Sequence, residues 1–438
     1  MNSIAKWLLA AIFLTLPLNT LRPFKEIALA DILIAFLLPF AFYLFVVRFV
    51  VGRRLGSLPK WLWVGAVLLL ISMALVELVP VVNPERLVDA FDTYKIEGGS
   101  SVVVGMRVIF ALVAFPIVIA VVADRWSTIT LLVNAWIIGV SISCAVALLD
   151  VVLGTSIQQT FAYQPDLIRG YLVVFPGEAA RQVGLTDHPN TLSLTAVMVA
   201  PVIMARMKSR QGLKRYGPVL LLITFGILVS GARVGVAGLI LAVGFTCIMD
   251  ARFRSMVRGL RTRTIVLAVV GLVALTSLLA VAIIAPPDSG VGKLVPSSLS
   301  RLSPSENTTE ISDTERGSRL DDSIGFIKER PVLGYGFQWV ESSHNTVLQL
   351  LMAGGILALA GFFLVLIGYL KIGFGLRNGL SDTRRDLSVA VTISLLIYVI
   401  SGLVVNHIFE RYLYIPAGLI LAIYLIQKAP DYRASKEA

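Results

Sequence analysis

The three histidines of the chain are its clearest candidates for proton transfer. They occur in the segments His188-Pro189-Asn190, His344-Asn345 and Asn406-His407, each close to an asparagine. Imidazole is the side chain whose ordinary pKa, about 6.5, suits general-base catalysis near neutral pH. A histidine at the end of a helix is more often a hydrogen-bonding group than a catalyst. Both interpretations therefore stay open for each of the three residues.

Arginines outside the most basic loops are candidates for binding an anion, namely Arg181, Arg233, Arg316, Arg319 and Arg330. Arg233 differs from the others because it lies in an apolar run with no acidic residue within ten positions. Such an arginine is expected to face the interior of a helix bundle or a polar cavity, and to pair with a group there. A diphosphate suits several guanidinium groups, because each presents a planar fork of donors. The alternative for any single arginine is an anchor at the membrane surface.

The sequence gives little support for a metal or a cofactor. Asp321-Asp322 is the one adjacent acidic pair in the long loops, and a metal-dependent transferase would need carboxylates that converge on a diphosphate. Gly334-Tyr335-Gly336 lacks the spacing of a dinucleotide-binding loop, and no P-loop is present. The prediction is a site without a metal ion and without a cofactor.

The composition indicates that lipid is the solvent for most of the chain. Of its 438 residues 57% are hydrophobic and only 15% are charged, whereas soluble domains carry about 25% charge. This balance excludes a series of soluble domains, a disordered chain and a disulfide scaffold. The net charge of +11 is attributed to basic loops that set membrane topology, and not to nucleic-acid binding.

Apolar runs long enough for a membrane helix recur along the chain. They predict an all-α polytopic membrane protein of about twelve transmembrane helices in a single membrane domain, 1–438, near 7–20, 28–47, 61–79, 103–122, 128–152, 189–206, 217–231, 234–249, 265–285, 344–370, 388–405 and 412–427. A long loop, 286–343, follows the ninth run. Within it Leu320, Ile324 and Ile327 recur at helical spacing, which predicts an amphipathic helix that Pro331 would end.

The basic residues predict the orientation of these helices. The termini and the loops 48–60, 123–127, 206–216, 250–264 and 371–387 together hold 23 of the 38 Lys and Arg, but only 6 of the 27 acidic residues. Because cytoplasmic loops are enriched in Lys and Arg, both termini are predicted to be cytoplasmic. The loops 80–102, 153–188 and 286–343, and with them all three histidines, then lie on the opposite side.

Four separated segments resemble the bacterial O-antigen ligase and O-antigen polymerase superfamily, in order and in spacing. They are the segment 181–190 entering the sixth run, Ser230-Gly-Ala-Arg233-Val-Gly235, the segment from Arg316 and Arg319 to Pro331-Val-Leu-Gly334-Tyr-Gly336, and Ser343-His344-Asn345 through Gly354-Gly355.

The resemblance implies a membrane glycosyltransferase of GT-C-like architecture in the bacterial inner membrane, with its active site facing the periplasm. Its donor would be a glycan on undecaprenyl diphosphate. The resemblance implies His344 as the general base, and Arg181, Arg233 and either Arg316 or Arg319 as ligands of the departing diphosphate. His188 and Asn345 are further implied substrate-binding residues.

Three functions remain open at this point. A ligase transfers the glycan to a sugar hydroxyl of the lipid A-core, and a single long loop before His344 favours this function. A polymerase transfers it to another lipid-linked repeat unit. A twelve-span transporter or flippase is the alternative from another class, although the runs do not form two matching halves. Membrane lipids are partners in every case, and nucleic acid in none.

Overall fold

The computed structural model describes residues 2–22, 27–51, 58–79, 100–153, 157–161, 181–249, 320–339, 345–376, 380–405, 408 and 414–428. Within these ranges the chain is built of helices, which confirms the all-α prediction for the part described. The ninth predicted run, 265–285, and most of the 286–343 loop lie outside these ranges.

The helices are numbered here in chain order. They are α1 Asn2–Thr15, α2 Leu29–Val51, α3 Lys60–Leu78, α4 Ser101–Val122, α5 Trp126–Leu153, α6 Ile157–Phe161, α7 Pro189–Arg206, α8 Arg210–Val229, α9 Arg233–Met249, α10 320–329, α11 Thr346–Gly375, α12 Asp382–Ser401 and α13 Ile415–Lys428.

Six of the described helices are long and apolar enough to cross a membrane, namely α2, α3, α4, α5, α8 and α11. Shorter apolar helices lie within α1, α9 and α13. These helices are consistent with the membrane protein that the composition predicts.

Helix α7 lies at the centre of the bundle and packs against α5, α8, α9 and α12. It carries Ser193 and Thr195, and both side chains are fully or almost fully buried. Their hydroxyl groups donate to the carbonyls of Asn190 and Thr191 one turn earlier, so both hydroxyl groups have a hydrogen-bond acceptor. Polar residues lower the mean hydropathy of this helix, but its neighbours shield them from the outside of the bundle.

Glycines allow several of these helices to approach closely. Gly235 and Gly238 of α9 lie against Ser193 and Val197 of α7. Gly65 of α3 and Gly361 of α11 meet in the same way, and a Cβ on either would lie 2.8 Å from the other's carbonyl oxygen. Small residues at helix contacts are typical of membrane bundles, where dispersion and close packing replace the hydrophobic effect between helices.

Candidate functional site

Arg181 lies in a loop that runs over the ends of α7 and α8. The loop is called here the arginine loop, residues 181–186. The guanidinium group donates from Nε to the carbonyl of Ser230 at 3.3 Å and from Nη2 to Oδ1 of Asn190 at 3.0 Å. The backbone N–H of Gln182 donates to the carbonyl of Val229. The structure therefore joins two of the segments noted in the sequence, 181–190 and 230–235.

A buried glutamine, Gln158, holds the arginine loop in place. Its Oε1 accepts from the backbone N–H of Val183 at 2.7 Å and of Gly184 at 2.6 Å, and its Nε2 donates to the side chain of Gln182. Asp150 in turn accepts from the backbone N–H of Gln158 and so orients the start of α6. Neither residue has a distinctive neighbourhood in the chain, so the amino-acid sequence does not single them out.

Two further contacts fix the far end of the arginine loop. The hydroxyl of Ser143 in α5 accepts from the N–H of Leu185 at 2.9 Å, and Thr20 donates its hydroxyl to the carbonyl of Leu185 at 2.8 Å. Gly184 adopts φ +60°, and a Cβ there would lie 2.5 Å from the Ser143 carbonyl oxygen. A glycine is required at this position both by the backbone conformation and by the space.

His188 serves as the N-cap of α7. Its Nδ1 accepts the backbone N–H of Asn190 at 3.0 Å, so this ring nitrogen carries no proton in the observed geometry. Asn190 contacts Arg181 through its side chain. His188 therefore lies beside the arginine loop, in a capping position that is a structural role.

Arg233 is the first residue of α9, directly after the turn that Gly231 makes with φ +62°. Its side chain is exposed, whereas the apolar sequence around it predicts a side chain that faces the bundle interior or a polar cavity. The turn places Arg233 at the end of the pair formed by α8 and α9, and this explains why its side chain is exposed. A cation at the first turn of a helix opposes the helix dipole, and an anion bound there would relieve this repulsion.

The second part of the site is the segment 331–337, called here the docking loop. It is bonded through its backbone to a break inside α11. The N–H groups of Tyr335 and Gly336 donate to the carbonyls of Met352 and Ala353, at 2.6 Å and 2.9 Å. The N–H of Ile356 donates to the carbonyl of Pro331 at 3.0 Å. The loop thus provides hydrogen-bond partners for backbone groups that have none within the helix at the break.

The break is made by Gly354 and Gly355. Gly354 has φ −145° and ψ 20°, and Gly355 has φ 64° and ψ −158°, so neither is helical. The hydroxyl of Ser72 in α3 donates to the Gly354 carbonyl at 2.8 Å, and a Cβ on Gly355 would lie 2.1 Å from the carbonyl oxygen of Val332. The predicted run 344–370 is therefore a discontinuous helix, Thr346–Gly375.

An aromatic cluster attaches α10 to the docking loop. Phe326 and Tyr335 meet edge to face with ring centroids 5.7 Å apart, and Trp339 and Met352 complete the buried group. The Tyr335 hydroxyl bonds to Glu329 at 3.0 Å.

The buried face of α10 agrees only in part with the predicted one, since Ile327 packs against the cluster but Leu320 does not. Ser323 and Phe326 are buried, whereas Leu320 is 41% exposed. The aromatic cluster includes Phe326, with Ile327 packed against it, and Leu320 lies outside this cluster. The helix ends at residue 329, ahead of Pro331.

Asn345 is the N-cap of α11. Its Oδ1 accepts the N–H of Val347 at 2.8 Å, and its Nδ2 donates to the carbonyl of Leu403 at 2.9 Å. The N–H of Thr346 donates to the carbonyl of Gly402. These bonds attach the start of α11 to the end of α12.

The remaining candidate residues divide into two groups. Asp321 and Asp322 are exposed on α10. The other group lies outside the described residues and comprises Arg316, Arg319, His344 and His407.

The arginine loop and the docking loop lie at the same end of the bundle. Thr20, which follows α1, bonds to Leu185 of the arginine loop. Val79, which follows α3, accepts a hydrogen bond from Arg330 beside the docking loop. Because α1 and α3 are separated by one antiparallel helix, α2, their carboxyl ends point the same way. The opposite end carries a separate ion-pair cluster in which Asp124 binds both Lys6 and Arg48.

The described part of the chain is thus an all-helical membrane protein with two polar loops docked at one end of its bundle. Residues 218–363 match the family model described as O-Antigen ligase, and this confirms the resemblance to the O-antigen ligase superfamily. The matched third of the chain contains the turn before Arg233, the docking loop and the broken helix, as well as Arg316, Arg319 and His344. No curated protein matches the chain.

Proposed function

We propose that the protein is an O-antigen ligase. It transfers a glycan from undecaprenyl diphosphate to a sugar hydroxyl of the lipid A-core, on the periplasmic side of the bacterial inner membrane. The observation that carries the proposal is the family match over 218–363, which includes both the Arg233 turn and the docking loop. The hydrogen bond from Arg181 to Ser230 extends this site to the arginine loop.

In this proposal the reaction is a displacement at the anomeric carbon of the donor sugar. The acceptor hydroxyl oxygen forms the new glycosidic bond, and the bond from the anomeric carbon to the diphosphate oxygen breaks. His344 takes the proton of the acceptor hydroxyl, and the diphosphate departs with the bonding electrons. No metal ion or cofactor takes part.

Positive charge stabilises the departing diphosphate. Arg181 bonds to Ser230 in the turn 230–232, Arg233 follows this turn, and Arg316 or Arg319 is the third cation in the proposal. Two donors of the Arg181 guanidinium are engaged with Ser230 and Asn190, and this fixes the orientation of the group before the donor binds.

The proposed architecture is a GT-C-like bundle of twelve spans in one membrane domain, with both termini cytoplasmic. The described helices support it, because their directions alternate through the short connections 123–125, 207–209 and 230–232. The asymmetry of Lys and Arg supports the orientation. The long loop 286–343 and the arginine loop then face the periplasm together.

The test is glycan transfer by the purified full-length protein, supplied with a lipid-linked glycan and a lipopolysaccharide that lacks O-antigen. His344→Gln keeps a hydrogen-bonding side chain but removes the base, so the initial rate should fall about a hundred- to ten-thousandfold. His407→Gln is the matched control, and its rate should stay close to that of the parent protein.

Two outcomes would overturn the proposal. A His344→Gln rate within about threefold of the parent rate would show that His344 is not the general base, because a general base should contribute far more than that. Lengthened lipid-linked glycan without any product on the acceptor would indicate a polymerase.

A further inference from the structure

A lateral groove lies between α5 and α8, away from the proposed active site. Its cavity measures about 480 Å³ and opens to the outside of the bundle. Ile138, Ile142, Val219 and Leu222 line it. Ile138 is 52% exposed and Ile142 is 39% exposed, so the apolar wall is accessible from the membrane. The volume lies within the range typical of ligand pockets.

One end of the groove is cationic. Arg215 lines the groove near the start of α8, and its guanidinium group lies 5.5 Å from the ring centroid of Tyr216. Arg206 approaches the same ring at 5.9 Å, so two cations share one aromatic side chain. Within the part of the chain that the structure describes, neither arginine has a carboxylate at ion-pair distance. The neighbouring Lys208, by contrast, pairs with Asp386 at 2.8 Å.

The wall of the groove also contains a polar side chain, Asn134, whose amide can still form hydrogen bonds. Asn134 lies two turns into α5 and is half-buried among apolar side chains. Its amide has no hydrogen-bond partner among the described residues. An amide within a membrane helix is costly unless it is hydrogen-bonded, so Asn134 is suited to bind a polar group of a molecule in the groove.

These features together describe a ligand with an apolar chain, a hydrogen-bonding group and a negatively charged head. We propose that the groove binds an anionic phospholipid. An acyl chain lies along Ile138 and Leu222, a glycerol ester accepts from Asn134, and the phosphate contacts Arg215. A free phosphate ion would leave the apolar wall empty, and a zwitterionic lipid would bring a third cation beside Arg206 and Arg215.

The position of the groove separates this site from the proposed catalysis. Arg215 follows the connection 207–209, which lies at the end of the bundle opposite the arginine loop. In the proposed orientation this end meets the cytoplasmic leaflet, where basic pockets between helices bind anionic headgroups.

Native mass spectrometry of the delipidated full-length protein tests the proposal. The probes are phosphatidylglycerol and phosphatidylcholine with identical acyl chains. The parent protein should retain phosphatidylglycerol at least about fivefold better, since one basic residue near a membrane surface contributes on that scale. Arg215→Gln should abolish the preference. Arg210→Gln removes an equal charge from the same helix but does not line the groove, so it should leave the preference unchanged.

A second variant tests the groove itself. Ile138→Trp places a large side chain in the cavity at an exposed position and should reduce the retention of both lipids. Equal retention of both lipids by the parent protein, or an equal effect of Arg210→Gln and Arg215→Gln, would overturn the proposal in favour of diffuse attraction. Unchanged retention in Ile138→Trp would also overturn it, because the lipids would then lie elsewhere.

Discussion

The arginine loop is held mainly by side chains, whereas the docking loop is held mainly by its backbone. Gln158, Ser143 and Thr20 supply side-chain atoms to the arginine loop. The docking loop instead pairs N–H groups with carbonyls exposed by the break in α11. The first arrangement depends on which polar residues are present, and the second depends on where glycines allow the chain to turn.

The docking loop should be the less tolerant of the two, because backbone geometry cannot be restored by another side chain. Gly355→Ala forces an alanine into φ 64°, ψ −158° and brings its Cβ to within 2.1 Å of the Val332 oxygen. Backbone strain and overpacking together should lower the free energy of unfolding by about 3 kcal/mol or more. The expected result is loss of monodisperse protein on size-exclusion chromatography in detergent.

Gly375→Ala is the matched control, because no atom lies within 4 Å of a Cβ at that position of the same helix. It should behave like the parent protein. A monodisperse Gly355→Ala protein with the parent's melting temperature would show that the docking loop is not essential to the fold.

The next largest effect concerns the chemistry proposed beside the arginine loop. Arg233→Ala removes an exposed guanidinium and should leave the fold intact. Loss of its charged hydrogen bond to the donor diphosphate should cost about 2–4 kcal/mol, a loss of transfer rate of about thirty- to a thousandfold. Arg233→Lys keeps the charge without the planar fork and should also bind the donor poorly.

Initial rates and melting temperatures of both Arg233 variants check this prediction. Near-normal transfer by a correctly folded Arg233→Ala protein would indicate that Arg233 is a membrane-surface anchor and not a ligand of the diphosphate.

The side-chain network of the arginine loop can be tested at Gln158. Gln158→Leu leaves the N–H groups of Val183 and Gly184 buried without an acceptor, and this should cost about 2–4 kcal/mol in the free energy of unfolding. Transfer should fall as well, because Arg181 follows the position of the loop. Gln158→Glu keeps an acceptor oxygen for both N–H groups but loses the donor to Gln182, so it should restore only part of the rate.

The neighbouring substitution Gln159→Leu controls for added hydrophobicity, and it should change neither thermal unfolding nor transfer. If Gln158→Leu transfers glycan as fast as the parent protein, Gln158 does not position Arg181.

The smallest effect is expected at Ser72. Its hydroxyl donates one hydrogen bond to the Gly354 carbonyl, so Ser72→Ala should lower the free energy of unfolding by about 1 kcal/mol. A modest decrease in melting temperature with unchanged transfer would fit this role. A loss as large as that of Gly355→Ala would mean that this one bond, and not the docking loop, maintains the break.

Local patterns predict much of the fold. Long apolar runs predict the helices, and Gly231 with its polar neighbours marks the turn between α8 and α9. The contacts that position the site join residues far apart in the chain, such as Ser72 with Gly354 and Gln158 with Val183. Periodicity carries no signal for such pairs. The exposure of Arg233 likewise depends on where the turn ends, which the adjacent apolar runs 217–231 and 234–249 do not reveal.

Helix identity was easier to predict than helix continuity. The run 344–370 is apolar on both sides of Gly354-Gly355, and this pair is compatible with an unbroken helix. The break depends on partners elsewhere, namely the docking loop and Ser72. The same limitation applies to α10, because its three apolar positions indicate a helix without showing how much of it is covered.

The broken helix depends on the order in which the chain is synthesised. Both partners of the break, Ser72 and the docking loop, precede α11 in the chain and therefore leave the ribosome before it. When Gly354 and Gly355 emerge, the groups that satisfy their neighbouring carbonyls and N–H groups have already been made. A chain rearranged so that α11 came first would deliver a discontinuous helix to the membrane before its partners exist, with several backbone groups unsatisfied in lipid.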